Sequence, residues 1–428
     1  MTGAQARLQR AVTIVADVKP RHGASLKRLL TRMGQDAAGN DVVPLGELGS
    51  AHFARMLMLD SSKDVEGNPL PAHFIYMSDV DGSPDAHLSE LVDLAPKGLD
   101  QLLRHCQGYP EPGTATRDAR LAFLHEHMVK AGATYVNTVG RTLGQVRDEA
   151  RLREEIQAFL DGGDFDGVEP EAVRAAILRF VAARPDLRWA TEPPAGPGPL
   201  ERAAELLGAV GFPLELAARA PVLVPLLPLW ALMLRLDELR DRAPTIEPSD
   251  AHERELAALE DFTAQNPFSA VGNRKPGLIR LVTAASVLRL VDYGARYIFN
   301  NGSLTGVKTI HFARWVFLDD RRRMIFASNY DGSLESYMDD FINQVWWGLN
   351  AVFSNGVGFP RTSWLVLGGS QNEQAFKDYL RRREVPTQVW YSAYDELTAI
   401  NIDNNAQIRA GLTGEMSGEE TEAWLLRL

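Results

Sequence analysis

The sequence predicts an α+β fold in which two tandem βαββαβ repeats pack sheet to sheet, with a helical insert between them. Three observations carry this reading. His52-Phe53-Ala54-Arg55 recurs as His311-Phe312-Ala313-Arg314. Asp81-Gly82-Ser83 recurs as Asp331-Gly332-Ser333, and both copies then run without a gap to Gly98-Leu99 and Gly348-Leu349, finishing at Gly108-Tyr109-Pro110 and Gly358-Phe359-Pro360. Within each copy the apolar residues switch between a period of two and a period of 3.6 in the same order, the mark of a duplicated supersecondary unit.

Each element follows from its local pattern. AVTIVADV reads as the first strand, and SLKRLLTRM has apolar residues at helical spacing. HFARMLML and HFIYMSDV form a hairpin, as do IHFARWVFL and MIFASNY in the second copy, with Asp319 to Arg323 at its tip. The longer first-copy connection, around SSKDVEGNPLPA, is loop material. Ser83 and Ser333 stand as N-caps of the next helix, with Pro84 at its first position. That helix keeps one apolar face in both copies: Leu88, Leu91, Val92 and Ala95 align with Met338, Phe341, Ile342 and Val345. ATYVNTVG and TQVWYSAY are the last strands. This ferredoxin-like order puts helices on one face of an antiparallel sheet and leaves the other face to be buried. Duplication supplies the cover.

The repeats are placed at residues 11–160 and 261–412, with a helical connector at 161–260 and a C-terminal tail at 413–428. The connector opens with FLDGGDFDGVEPEAV and passes through the linker RPDLRWATEPPAGPGP. Its segment 212–236 is strongly apolar, broken only by Glu215, Arg219 and Arg235. The longest uncharged run, Ala220 to Leu234, is 15 residues with three prolines, short of the roughly 20 that span a bilayer. Two expectations follow: a helical hairpin buried between the halves, or a peripheral patch resting in one leaflet and admitting lipophilic ligands.

Composition narrows the partners. With 45 basic against 56 acidic side chains, the net charge of −11 argues against nucleic acid. Cys106 is the single cysteine, so an internal disulfide or a multi-cysteine metal site is excluded and a reducing, cytoplasmic setting is expected. The N-terminal stretch lacks the apolar core of a secretory signal.

Several residues carry chemistry. By strand alternation His52 and His311 face one side while Arg55 and Arg314 face the other, so only one of the two types lines the space between the sheets. An imidazole there suits a metal ligand or a general base, and a guanidinium suits a carboxylate, with Asp81 and Asp331 as internal partners. Each aspartate also precedes glycine at a turn, where its charge favours the helix that follows. Lys19-Pro20 and Lys275-Pro276-Gly277 sit where first strand meets first helix, and Arg274 and Lys275 beside that helix N-terminus suit an anionic head group. His125 and His127, two apart, hold a metal only if their segment is extended. The aromatic set Tyr337, Trp346, Trp347, Trp364, Trp390, Tyr391 and Tyr394 reads as core or as the lining of an apolar pocket.

The tandem arrangement resembles the dimeric α/β-barrel superfamily, which includes dye-decolorising peroxidases, chlorite dismutases and small cofactor-free monooxygenases. The second copy, with IHFARW, SNYDGS, GFPRT and VWYSAY, is similar to a group of bacterial proteins likened to those peroxidases. The resemblance implies a peroxidase-like haem oxidoreductase acting on a lipophilic organic substrate. His311 or His52 would bind the haem, and Arg314, Asp331, Arg55 and Asp81 would carry catalysis. Two departures from the peroxidase pattern stand out: His311 lies on a strand rather than the helical side, and neither NYDGS nor DVDGS is a GxxDG motif. A non-catalytic scaffold that binds a ligand or a membrane, at the inner membrane face, and a cofactor-free monooxygenase are the alternatives.

Overall fold

The computed structural model describes residues 9–428 apart from 112, 193–198, 242–245, 300, 301 and 303; the first eight residues and the proline-rich part of the linker lie outside the described residues. The first half runs β1 (Gln9–Asp17), α1 (Gly23–Gly34), β2 (Ala51–Leu59), β3 (His73–Asp81), α2 (Pro84–Leu94), α3 (Pro96–Leu103), α4 (Arg117–Glu126), β4 (Ala133–Val136) and α5 (Leu143–Asp161). Then come α6 (Pro170–Ala183), α7 (Pro199–Arg240) and α8 (Asp250–Ala257). The second half runs β5 (Gln265–Asn273), α9 (Leu278–Tyr297), β6 (Ile310–Leu318), β7 (Arg323–Asp331), α10 (Leu334–Phe353), α11 (Glu373–Arg381), β8 (Val389–Ser392) and α12 (Ala399–Ala410), followed by α13 (Gly418–Leu425). Residues 413–428, expected as a tail, contain this last helix, whose Trp424 is buried and donates to the Ile408 carbonyl at 3.0 Å.

Local signals act as expected. Ser83 and Ser333 accept from Ala86 N and Ser336 N at 3.1 and 3.3 Å, so each long helix starts where its hydroxyl satisfies an orphan donor. The helix after β3 breaks at Ala95 (φ −130°, ψ 54°), ahead of Pro96, which lacks an amide proton and cannot continue the ladder. Val345 in α10 has a similar non-helical geometry (φ −133°, ψ 17°).

Both sheets are antiparallel and four-stranded, in the orders β1-β3-β2-β8 and β4-β6-β7-β5. The fourth strand of each half therefore belongs to the other half's sheet, which corrects the expectation of one self-contained sheet per repeat. The reason is visible in the chain's path. Before β4, residues 127–129 run beside β1, with Val15 N on His127 O at 2.9 Å and Val129 N on Thr13 O at 2.8 Å. β4 then pairs with β6. Residues 383–385 run likewise beside β5, through Val271 N to Arg383 O and Val385 N to Ser269 O, both 2.8 Å, before β8 pairs with β2. Each last strand thus satisfies two edges, and the eight strands close into a ring without free edges. Leu57, Ile75 and Met77 from one sheet meet Val316, Leu318 and Ile325 from the other inside it.

The apolar connector departs furthest from expectation. In place of a buried hairpin, α7 is one helix of 42 residues, about 63 Å long at 1.5 Å per residue. Pro213, Pro221, Pro225 and Pro228 all lie within it. The first of these frees the carbonyl of Ala209, which the Tyr293 hydroxyl takes up at 2.8 Å, so the helix continues past the missing donor. The stretch Arg202–Arg240 is long and apolar enough to cross a membrane. The 15-residue estimate fell short because Glu215 pairs with Arg219 and with Arg289 of α9 instead of ending the helix.

The hairpin tip also links the halves. Asp319, at φ 51°, lies in the β6–β7 turn, receives His73 Nε2 of β3 at 2.8 Å and binds Arg323 Nε at 2.5 Å. Burial pushes its carboxyl up, but these two bonds prevail and hold it down at about 2. A depressed carboxylate stabilises the fold above the unfolded-state value, and that stability is lost as pH falls toward 2. Asp319→Asn is therefore expected to lower the urea midpoint near neutrality, with the gap to wild type closing as pH falls from about 4; a constant gap across this window would contradict the assignment.

Candidate functional site

The six residues predicted from the repeat gather inside the ring, in a pattern that alternation alone did not give. The register shifts between Ala51 and Phe53 in β2, and between Ile310 and Phe312 in β6. A bulge at each histidine adds a residue to the strand, so the expectation that histidine and arginine must face opposite sides is corrected. His52, Phe53, His311, Phe312 and Tyr394 form one aromatic cluster, with ring centroids 5.2–6.3 Å apart.

His52 Nε2 meets Asp81 Oδ1 at 2.9 Å, and its Nδ1 meets the Tyr394 hydroxyl at 2.9 Å. His311 Nε2 meets Asp331 Oδ1 at 2.7 Å. The second oxygen of each carboxylate accepts the first amide of another helix: Leu143 N of α5 on Asp81 and Ala399 N of α12 on Asp331, both at 2.7 Å. The aspartates were expected on the helix that follows each Asp-Gly turn; they sit instead on the positive end of a helix reached through the fourth strand. Burial, and then the charges of Asp79, Asp81 and Asp331, push the Tyr394 phenol well above its ordinary range, so it stays protonated.

The arginines reach across the ring. Arg55 donates to Phe268 O (2.7 Å), Ser269 Oγ (2.8 Å), Ser328 O (2.7 Å) and Asn329 Oδ1. Arg314 donates to Val12 O (2.6 Å), Thr13 Oγ1 (3.2 Å), Ser78 O (3.0 Å) and Asp79 Oδ1. Their partners are thus Asn329 and Asp79 on the opposite sheet, two residues before the aspartates expected. Asn329 Nδ2 in turn donates to Asp79 Oδ2 at 3.1 Å. Arg314 thus pairs with the Asp79 carboxylate directly, Arg55 reaches it only through Asn329, and both guanidiniums are nearly sealed from water. Burial, followed by the charge of Arg314, draws Arg55 below the ordinary arginine range, although a guanidinium remains a cation there.

This constellation is a cross-sheet clamp. Both nitrogens of His52 and one of His311 are engaged, and all four terminal guanidinium nitrogens hold the facing sheet. Haem ligation at His52 would require breaking a bond to Asp81 or Tyr394, whereas His311 is held through Nε2 alone, the way a carboxylate commonly orients a ligating imidazole. The crevice between β5, β7 and the helices over them is about 30 Å³, room for a water or two, and its lining contains no histidine. His125 and His127, at the end of α4, have separate partners in Asp85 (3.6 Å) and Phe123 O (2.8 Å).

Outside the ring lies a feature of another kind. α7 rests on α9 through Phe212 against Tyr293, with centroids 5.0 Å apart, and Trp230 Nε1 on Thr283 Oγ1 at 3.1 Å. Its remaining surface is apolar and open. Leu206, Leu207, Leu214, Val222, Leu226 and Leu229 are each at least half exposed, and Val222, Leu223 and Val224 are exposed in succession. Leu278, Val282 and Leu290 of α9, the helix it rests on, are exposed as well. A helix apolar on every side is ordinarily buried in protein or in lipid; none of the most apolar window of α7 is buried by the chain. Comparison with protein-family models, with curated proteins and with solved structures finds no match.

Two predictions follow from the clamp. Arg314→Ala leaves Asp79 buried without its cation and is expected to cost about 3–5 kcal/mol in urea unfolding. Arg55→Ala should cost less, because its partners are neutral and its loss relieves repulsion with Arg314; equal costs would contradict the charge assignment. With both nitrogens of His52 engaged, any Soret band of protein purified from haem-supplemented cells should survive His52→Ala, and a band lost in that variant would overturn the clamp reading.

Proposed function

We propose that the protein is a membrane-surface scaffold: a rigid, duplicated ferredoxin-like barrel that holds α7 in the plane of a bilayer leaflet. The observation that carries this reading is the exposure of apolar side chains over the surface of α7 that α9 leaves open, far more than a soluble surface ordinarily tolerates. Each half-exposed Leu or Val would contribute about 1 kcal/mol on leaving water. Fifteen large apolar residues on α7 are exposed, so partial immersion would supply on the order of 10 kcal/mol before binding costs.

The topology favours lying over spanning. A single crossing would put the chain before α7 and the chain after it on opposite sides of the bilayer. Yet β4 pairs with β6, and β8 with β2, inside one ring. Toward the amino end of α7 the Ala209 carbonyl accepts from the Tyr293 hydroxyl of α9, and Phe212 packs on the same ring. At the other end Glu238 is fully buried, accepting from Thr362 Oγ1, Trp364 N and Leu365 N. Both ends of the helix are thus tied to the same body, as in-plane association requires. Burial pushes the Cys106 thiol up to about 12, which makes it a poor nucleophile.

Flotation with phosphatidylcholine vesicles tests the proposal. The full chain is expected to rise with the vesicles, and Leu226→Asp with Leu229→Asp to remove most of the floating fraction while leaving the circular dichroism spectrum unchanged. Wild-type protein that stays at the bottom of the gradient would refute membrane association.

A further inference from the structure

The first turn of α9 has unusual electrostatics. Gly277, its N-cap, has φ 97°, offers no capping side chain, and no acidic residue occupies the turn. Behind it, Arg280 is 1% exposed. Its Nη2 donates to Asp241 Oδ2 at 2.6 Å, but Nε and Nη1 have no hydrogen-bond partner among the described residues. Lys275, also buried, places Nζ on the same Asp241 oxygen at 2.5 Å. Glu238, the nearby carboxylate, is occupied by Thr362, two backbone amides and Arg235 at 3.0 Å. Arg274 adds a third cation, folded onto the Lys275 carbonyl at 2.6 Å and the Gly277 carbonyl at 3.2 Å. Positive charge thus exceeds negative at the amino end of a 20-residue helix, with two buried guanidinium donors unanswered. A buried cation with free donors is costly unless an anion answers it, and a helix N-terminus is suited to receive one.

We infer that Lys275, Arg280 and the first amides of α9 form a site for the phosphate of an anionic lipid headgroup. The inference rests on the membrane reading, because what selects lipid over free phosphate is location. The site lies at the carboxyl end of α7, where Leu236, Leu239, Leu278 and Trp364 are all exposed. A phosphate there would sit at headgroup level while its acyl chains joined the apolar surface. This would give the scaffold a preference among membranes that α7, read by apolar content alone, does not have.

The test compares phosphatidylcholine vesicles with vesicles that also contain phosphatidylglycerol. Wild-type protein is expected to bind the mixed vesicles about tenfold more tightly, the scale of one or two charge-assisted hydrogen bonds. Lys275→Gln and Arg280→Gln should abolish the preference while keeping binding to neutral vesicles. Retained preference in both variants would overturn the headgroup site; failure of wild type to bind either vesicle would overturn the membrane reading instead. If Arg280→Gln does not fold, amide exchange of wild type at 277–281 decides: slower exchange on mixed than on neutral vesicles, at saturating binding, supports the site, and equal rates refute it. Inorganic phosphate at matched ionic strength separates the sources. It should not displace the protein from mixed vesicles, and full displacement would assign the site to free phosphate.

Discussion

Closure of the two sheets through exchanged fourth strands is the constraint on which the rest depends. Residues 127–136 and 383–392 each leave the edge of one sheet and join the edge of the other, so neither half can complete its hydrogen bonding alone. Closure sets the facing distance at which Arg55 and Arg314 reach carbonyls of the opposite sheet. It also brings α5 and α12 to Asp81 and Asp331, which order His52 and His311. The same closure keeps both ends of α7 on one side of any bilayer.

Inside the ring, charge is balanced unevenly. Asp79 and Asn329 occupy corresponding places, each facing the other half's arginine. One carboxylate therefore answers Arg314 directly and Arg55 only through Asn329, and the remaining acceptors are carbonyls and hydroxyls. Buried cations are tolerated when every donor has an acceptor in good geometry. Arg280 is the contrast: it is equally buried, yet two of its donors have no partner among the described residues. Arg141, Arg153, Arg383 and Arg409 each leave Nε alone without a hydrogen bond among the described residues, so it is the pair of open donors on Arg280, set at a helix N-terminus, that gives reason to read it as a binding feature.

Much of this was legible in the sequence and some was not, for physical reasons. The hairpins, the serine caps and the paired aspartates follow from local patterns with short reach. Exchange of the fourth strands does not, because ATYV and VWYS have the same alternation whichever edge they join. The bulges at His52 and His311 add one residue each without a compositional mark, so alternation misplaced the side chains beside them. Asp79 and Asn329 stood in the aligned blocks, two places before the conspicuous Asp-Gly pairs, where a polar residue flanked by strand gives no hint of a cross-sheet partner. For α7, prolines and two charges looked like breaks. Tyr293 repairs one break and Arg289 shares the Glu215 pair, and both lie on a helix more than fifty residues away in sequence.

On the proposed reading, α7 is an element whose proper solvent is lipid, lying along one leaflet. Its most direct test is depth-dependent quenching in a Cys106→Ser background, with an environment-sensitive fluorophore attached at single cysteines replacing Val222, Leu229 and Leu236. Lipid-borne quenchers placed at successive depths should locate all three positions at a similar shallow depth. A steady progression from one headgroup layer to the other would mean that the helix crosses, and probes left in water in the presence of vesicles would contradict the account altogether.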